Sequence, residues 1–196
     1  MAADARFAEL GVATTFEAAG GGAGLLAGSF IRVVPGARAA GPARTVSCGA
    51  GDNLALHRAL DGIEAGDVLV VAVAEQRPVA VLGELIALQA RTRGAAAILV
   101  DGPVRDLDAL VALGLPVWAR SVSAAGPAKR VRGGLDVPVE IGGVRIAPRD
   151  VVILDGDGVV VVPAGRRAEV LAAADARAAT ERDLLPRLEA GELTLD

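Results

Sequence analysis

Two short segments with charged side chains each stand where a predicted strand gives way to a helix. Glu84 follows one buried strand, and Arg105-Asp106 follows the next. If these strands are neighbours in a parallel sheet, both helix starts face the same crevice. The free backbone N–H groups of Leu85 and Ile86 could then hold an anion such as a carboxylate. Asp106 offers hard oxygen to Mg²⁺ or Mn²⁺, and Arg105 offers a permanent cation to a developing oxyanion.

A second interpretation of the same residues involves no ligand. Glu84 and Asp106 could cap their helices and offset the helix dipoles, while Arg105 pairs with one of them. Local spacing alone slightly favours this structural interpretation. The residues by themselves therefore define only a candidate site of acidic groups and an arginine.

Other motifs are weaker candidates for chemistry. The glycine-rich stretch 20–24 begins a formal G-x-G-x-x-A at 22–27, but it follows no convincing strand, which favours a flexible loop. The sequence DGDG at 155–158 lacks the other ligands of a calcium loop and predicts a hairpin turn. His57 lies at the edge of an apolar helix stripe and indicates an ordinary surface or interface histidine. Lys129, the only lysine, has no recognisable site around it.

The composition excludes several classes of protein. The chain has 196 residues, 53% of them hydrophobic, a net charge of −4 and almost no aromatic side chains. It offers neither a basic field nor stacking surfaces for nucleic acid. A single Cys48 excludes an internal disulfide and a cysteine zinc site. We find no secretory pattern and no apolar run long enough for a membrane, so we expect a cytoplasmic location.

The elements that would position the candidate site alternate between strand and helix. Strands at 79–82, 95–101 and 116–119 enclose helices at 84–93 and 107–113, which predicts βαβ crossovers and a parallel sheet. Earlier elements are strands at 30–34, 43–48 and 67–73 and a helix at 53–61. Short strands at 137–141, 144–146, 151–154 and 158–162, separated by glycine turns, predict an antiparallel or barrel-like layer. A helix from 166 to about 185 should be interrupted or kinked by Pro186.

Six segments, in the same order along the chain, resemble one known family. They are PGARAAGPARTV (35–46), GDNLALHRAL (51–60), GDVLVV (66–71), GELIALQARTRGAAAILVDGPVRD (83–106), GLPVWAR (114–120) and DGDGVVVVP (155–163). The family is the RraA-like proteins, which comprise the regulators of ribonuclease activity A and the class II 4-hydroxy-4-methyl-2-oxoglutarate/4-carboxy-4-hydroxy-2-oxoadipate aldolases. The resemblance covers residues 30–190, with a weakly matching segment at 1–29, and we expect a single domain over 1–196.

The spacing of the charged residues resembles the aldolase branch of the family. There, an acidic residue is followed after twenty residues by Arg-Asp, and Glu84, Arg105 and Asp106 keep this spacing. The family usually has Asp where this chain has Glu84, and the resemblance gives that residue a role in proton transfer through water. The regulator branch tends to carry Glu at the first position, as this chain does, but to lack the Asp after the arginine. Asp106 therefore favours an enzyme.

The resemblance also implies how a substrate would bind. Asp106 would anchor a hydrated divalent metal, Mg²⁺ or Mn²⁺. The helix start at Gly83, with the backbone of Leu85 and Ile86, would receive the carboxylate of a small 2-oxo acid. Arg105 would bind the C2 oxygen of that acid.

A further carboxylate is implied at a subunit boundary. The family forms a homotrimer or a dimer of trimers, and its C-terminal helix, here within 166–196, lends a carboxylate to the neighbouring subunit's site. Glu181 matches that position. Helical projection places Glu181 on a stripe with Val170 and Ala174, where a carboxylate needs a partner. An ion pair with Arg177, four residues earlier, is the alternative.

Fold and activity follow as expectations from this resemblance. The fold is an α/β, three-layer β/β/α arrangement like the swivelling phosphohistidine domain, with a parallel βαβ core and a hairpin-rich layer. The activity is a divalent-metal-dependent aldolase that releases pyruvate from 4-hydroxy-2-oxo acids through a metal-stabilised enolate, with oxaloacetate decarboxylation as a side activity. The alternative is a non-catalytic regulator of ribonuclease activity that acts by binding another protein.

Overall fold

A computed structural model describes residues 3–192 as strands and helices that build one mixed sheet and a separate hairpin. The α-helices are α1 (Ala3–Ala18), α2 (Leu54–Ala59), α3 (Glu84–Thr92), α4 (Leu107–Leu113) and α5 (Arg167–Glu189). The strands are β1 (Gly24–Leu25), β2 (Ile31–Arg32), β3 (Ala39–Cys48), β4 (Val68–Val73), β5 (Ala97–Val104), β6 (Val117–Val122), β7 (Gly134–Leu135), β8 (Val139–Ile141), β9 (Val144–Ile146), β10 (Val151–Leu154) and β11 (Val159–Val162). Residues 1–2 and 193–196, at the outer ends of the predicted segments 1–29 and 166–196, lie outside the described residues.

Strands β3, β4, β5 and β6 form the parallel centre of the sheet. The sequence of β4, VLVVAV, is apolar throughout, as expected for a strand that is covered on both faces. Helices α2, α3 and α4 cover one face, where Leu56, Ile86 and Leu110 are buried. The predicted parallel βαβ core is confirmed.

The long strand β3 belongs to two layers. Residues 39–42 pair antiparallel with β10, and residues 43–48 pair parallel with β4. A hairpin of β10 and β11, closed by the turn at 155–158, and a second hairpin of β8 and β9 stand beside the parallel strands. Their apolar side chains pack against Leu99 and Trp118 on the second face of the parallel sheet. This is the predicted hairpin-rich layer, and it completes the β/β/α arrangement.

Helices α1 and α5 add an outer layer that the sequence did not predict. They cover the far face of the β10–β11 hairpin, where Phe7, Val12 and Val170 are buried. Gly11 has a left-handed φ of 82° and interrupts α1 in its middle. That break divides the helical periodicity of the segment, which explains why no helix was predicted there.

Two predicted features of the elements are wrong. Residues 79–82 form no strand, because their pairing with β5 is limited to a single isolated bridge between Leu82 and Val104, while Ala80 N–H donates to the carbonyl of Ala125 in a loop. The predicted interruption at Pro186 is absent, because helix α5 runs through the proline to Glu189, and a kink there stays a prediction. The proline lies in the exposed last turns, where water can satisfy the carbonyl that it leaves unpaired. No helix within residues 3–192 is long and apolar enough to span a membrane.

Gly41, in the part of β3 that joins the two layers, leaves no room for a side chain. A Cβ there would lie 2.1 Å from the backbone oxygen of Gly66. We expect Gly41→Ala to lower the free energy of unfolding by about 1–3 kcal/mol, because backbone must shift to accept the methyl group. Chemical denaturation checks this, with Gly165→Ala as control, since a Cβ at Gly165 meets nothing within 4 Å. Equal stability of the two variants would contradict the prediction.

Candidate active site

A pocket of about 350 Å³ opens beside the start of α3, at the carboxyl ends of parallel strands β3 and β5. This is the edge at which ligands bind in sheets of this kind. The pocket is lined by Asn53, His57, Ala80, Val81, Leu82, Gly83, Glu84, Leu85, Ile86, Arg105, Asp106, Pro127 and Lys129. Six of the seven predicted site residues, all except Glu181, therefore line one cavity.

Backbone hydrogen bonds bring the two predicted segments together. Arg105 N–H donates to the carbonyl of Leu82 at 3.0 Å, and a parallel bridge joins Leu82 to Val104. A Cβ on Gly83 would stand only 2.5 Å from Asp106 Oδ2 and 3.1 Å from the side chain of Arg105. The glycine therefore allows the start of α3 to approach the arginine and aspartate this closely.

Asp106 stands in a strained conformation that turns its side chain towards the neighbouring helix. Its φ of 61° and ψ of 43° are left-handed, which costs a non-glycine residue about 1–3 kcal/mol. Oδ2 accepts a hydrogen bond from Glu84 N–H at 3.1 Å and lies 3.5 Å from Arg105 Nε. Asp106 thus caps α3 rather than its own helix α4. The structural interpretation of these residues is partly right, but it accounts for only one carboxylate oxygen.

The second oxygen, Oδ1, accepts no hydrogen bond from residues 3–192. Within the same residues no group of three or more His, Cys, Asp or Glu side chains could enclose a metal. A cation here would therefore have one protein carboxylate and would complete its coordination with water and ligand oxygens. Mg²⁺ is commonly bound in this way, so Asp106 fits a metal that is shared with a chelating substrate.

The start of α3 can also bind an anion. The backbone N–H groups of Leu85 and Ile86 have no acceptor among the residues that the structure describes. They lie in the first turn, where the helix dipole favours negative charge. A carboxylate bound at these groups would be close to Asp106 and Arg105, which line the same pocket.

Three polar residues that the sequence analysis did not assign to the site also line the pocket. His57 was predicted to be an ordinary surface or interface histidine, and Lys129 to have no site around it; both line the pocket with Asn53. Burial, and then the charge of Lys129, lower the pKa of His57, so its neutral form is favoured. Asn53 and His57 follow β3, so the argument from strand ends could have found them. Lys129 lies in the long loop between β6 and β7, which no sequence pattern places.

Glu181 lies outside the pocket, on α5. Its carboxylate pairs with Arg177 at 2.9 Å, and Arg177 also pairs with Glu17 on α1. The predicted alternative, an ion pair within the helix, is therefore present. The proposed contribution of Glu181 to a neighbouring subunit stays a prediction.

The comparisons with known proteins agree on one family. The RraA-like family (Aldolase/RraA) matches residues 3–161. A Halalkalibacterium halodurans protein named "Putative 4-hydroxy-4-methyl-2-oxoglutarate aldolase" is 40% identical over 131 residues, which are 67% of this chain and 62% of that protein. The chain thus matches less than two thirds of that relative's length.

Two solved structures have the same fold. The RNA-processing inhibitor RraA from Thermus thermophilis is 29% identical, with a TM-score of 0.70 over 76% of this chain and 92% of that chain. Streptomyces coelicolor RraAS2, an unusual member of the RNase ES inhibitor RraA protein family, is 27% identical, with a TM-score of 0.79 over 97% of this chain and 96% of that chain. The chain belongs to the RraA-like family, as the resemblance implied.

The influence of Lys129 on His57 can be measured directly, because the chain has one histidine. We expect Lys129→Met to raise the pKa of His57 towards its ordinary value, since the variant removes a positive charge that disfavours the imidazolium. NMR titration of the imidazole protons in untagged protein gives the measurement. Lys129→Arg keeps the charge and should leave the pKa close to that of the wild type. A methionine variant with an unchanged pKa would show that the lysine does not act on His57.

Proposed function

We propose that this chain is a divalent-metal-dependent aldolase that releases pyruvate from 4-hydroxy-2-oxo acids of the 4-hydroxy-4-methyl-2-oxoglutarate type. One observation carries the proposal: the free carboxylate oxygen of Asp106, the guanidinium of Arg105 and the open N–H groups of α3 converge on one pocket. These are the groups required to bind a 2-oxo acid together with a metal. The relative from Halalkalibacterium halodurans supports the same activity by its name.

The pocket can bind the reacting end of such a substrate in a defined orientation. The C1 carboxylate is received by the N–H groups of Leu85 and Ile86, and the C2 oxygen faces Arg105. Asp106 would hold Mg²⁺ or Mn²⁺ through its free oxygen. When bound, the cation would supply a Lewis acid that stabilises negative charge on the substrate.

Cleavage transfers one proton and one electron pair. The C4 hydroxyl loses its proton, the C3–C4 bond breaks and its electron pair moves towards the C2 oxygen, while C4 becomes a carbonyl. Arg105 stabilises the negative charge that develops on the C2 oxygen, an effect commonly worth about 10²–10³ in rate. Glu84 accepts the hydroxyl proton through an intervening water and can return it to C3, which gives pyruvate. Loss of CO₂ from oxaloacetate places the same charge on the same oxygen, so we propose this as a side activity.

The polar lining of the pocket beyond α3 and Arg105 favours a substrate with a second negative charge. Lys129 contributes a cation to this lining, and neutral His57 and Asn53 contribute polar groups. A carboxylate on C4 of the substrate would be attracted to the lysine. A dicarboxylic 4-hydroxy-2-oxo acid therefore suits the pocket better than one with an apolar end.

We further propose that the active assembly is a homotrimer or a dimer of trimers in which Glu181 faces a neighbouring copy's pocket. The support is its place on α5, remote from the pocket of its own chain and half exposed. The rival function is regulation of a ribonuclease by protein binding, which the names of the Thermus thermophilis and Streptomyces coelicolor relatives raise. Partner binding that resists EDTA and Asp106→Ala would favour the rival.

A coupled assay with lactate dehydrogenase and NADH tests the activity. Purified protein with Mg²⁺ or Mn²⁺ should release pyruvate from 4-hydroxy-4-methyl-2-oxoglutarate, and EDTA should abolish the release. Arg105→Ala should lower kcat/KM by about 10²–10³-fold, because the developing charge loses its cationic partner. Asp106→Asn should raise the metal concentration required for half-maximal rate. Arg145→Ala, on the exposed strand β9, serves as control and should keep the wild-type rate.

Two results would refute the proposal. One is the absence of pyruvate above background from every 4-hydroxy-2-oxo acid and from oxaloacetate. The other is a normal rate in Arg105→Ala, which would remove this pocket from consideration.

A further inference from the structure

A buried carboxylate behind the pocket wall belongs to none of the groups assigned above. Asp52 is 2% exposed and does not itself line the pocket. Its Oδ1 accepts a hydrogen bond from Leu54 N–H at 3.0 Å, and its Oδ2 accepts one from Arg130 N–H at 2.6 Å. Asp52 thereby joins the start of α2 to a loop 78 residues further along the chain.

The hydrogen bond from Arg130 N–H to Asp52 is one of three that hold residues 128–130 to residues 51–53. Ala128 N–H donates to the carbonyl of Gly51 at 2.9 Å, and Asn53 N–H donates to the carbonyl of Ala128 at 3.0 Å. The residues on both sides of Lys129 are therefore held to residues 51–53. Of the three bonds, only the one to Asp52 has a charged acceptor, and such hydrogen bonds are roughly twice as strong as neutral ones.

Residues 51–53 also form hydrogen bonds with two other segments that line the pocket. Asn53 donates from Nδ2 to the carbonyl of Val81 at 2.9 Å, which holds the segment that leads into Gly83. The carbonyl of Asn53 accepts a hydrogen bond from His57 N–H. Residues 51–53 are thus the common support of the segment before α3, the helix with His57 and the loop with Lys129.

Little else holds the loop in place. Residues 128–133 are exposed, and Val131 exposes 48% of its surface. One further bond to this segment runs from Arg58 Nη1 to the carbonyl of Arg132 at 2.9 Å, on the exposed surface. The charged hydrogen bond that the buried Asp52 carboxylate accepts from Arg130 N–H is therefore the strongest single constraint on the backbone that follows Lys129.

We propose that Asp52 is a positioning residue that holds Lys129 at the pocket wall and so sets the preference for substrates with a carboxylate at their far end. The preference rests on the function proposed above, whereas the positioning of Lys129 does not. Without the Asp52 carboxylate, the two backbone bonds at Ala128 remain but the backbone after Lys129 is released, Lys129 moves away from His57, and the wall loses its fixed cation. The reacting end of the substrate, bound by α3 and Arg105, is left in place.

The experiment compares Asp52→Asn with Lys129→Met and with the double variant. The first readout is the pKa of His57 by NMR, which needs no substrate and no metal. Asp52→Asn should raise this pKa in the same direction as Lys129→Met, and the double variant should show no further rise. A contribution of Asp52 to stability alone would not move the pKa.

The second readout separates binding from turnover. For 4-hydroxy-4-methyl-2-oxoglutarate, Asp52→Asn should raise KM by about tenfold, with kcat nearly unchanged, because one charge contact to the far carboxylate is lost. For 4-hydroxy-2-oxopentanoate, which lacks that carboxylate, KM should stay close to the wild-type value. Lys129→Met should give the same pattern, and Lys129→Arg should retain most of the preference.

Asp150 supplies a matched control elsewhere in the fold. It is likewise buried and accepts two backbone hydrogen bonds, from Ala147 N–H at 2.8 Å and Ala164 N–H at 2.9 Å, but it is remote from the pocket. Asp150→Asn should lower stability without changing the pKa of His57 or the ratio of the two KM values. If Asp52→Asn does not fold, Asp52→Glu takes its place, since it keeps the charge and displaces the loop by one methylene.

Three outcomes overturn the inference. They are a wild-type pKa of His57 in a folded Asp52 variant, an equal rise in KM for both substrates, and effects of Asp52→Asn that match those of Asp150→Asn. If the wild type cleaves neither substrate, the proposed function fails, while the His57 titration still decides whether Asp52 positions Lys129.

Discussion

The contact between two strand-to-helix junctions is the constraint on which the candidate site depends. Arg105 N–H binds the carbonyl of Leu82, and the absence of a side chain at Gly83 lets the carboxylate of Asp106 reach the first N–H of α3. The cation, the carboxylate and the open helix start are thereby brought into one pocket before any ligand binds. The left-handed backbone of Asp106 is the cost of this arrangement, and the bonds around it offset that cost.

Much of this arrangement could be predicted from the chain itself. Apolar strands alternating with helices gave the parallel core, and the rule that ligands bind at carboxyl strand ends placed Glu84, Arg105 and Asp106 in one cavity. Lys129 could not be placed, because its position depends on backbone bonds to residues 51–53, which leave no periodic pattern. The sequence predicts no helix at α1 because Gly11 divides its periodicity. It predicts a strand at 79–82 because burial alone does not distinguish a strand from a buried loop.

Backbone N–H groups, rather than basic side chains, satisfy several of the important carboxylates. Asp52, Asp106 and Asp150 all accept hydrogen bonds from main-chain donors at turns or helix starts. For Asp52 these bonds outweigh the burial that would raise its pKa, and the pKa lies below its ordinary value. At Asp52 and Asp150, a carboxylate held in this way fixes loop geometry without an ion pair to an arginine side chain, whereas Asp106 also lies 3.5 Å from Arg105 Nε. The side chains of Arg105 and Lys129 both line the pocket.

The course of β3 has a consequence for how the molecule unfolds. The strand begins in the antiparallel hairpin layer and ends in the parallel sheet, so its ten residues carry hydrogen bonds of both layers. The two layers cannot separate without disrupting β3, because this strand belongs to both of them. Melting of the hairpin layer should therefore withdraw support from the pocket edge as well, and unfolding should be a single cooperative transition rather than a stepwise loss of layers.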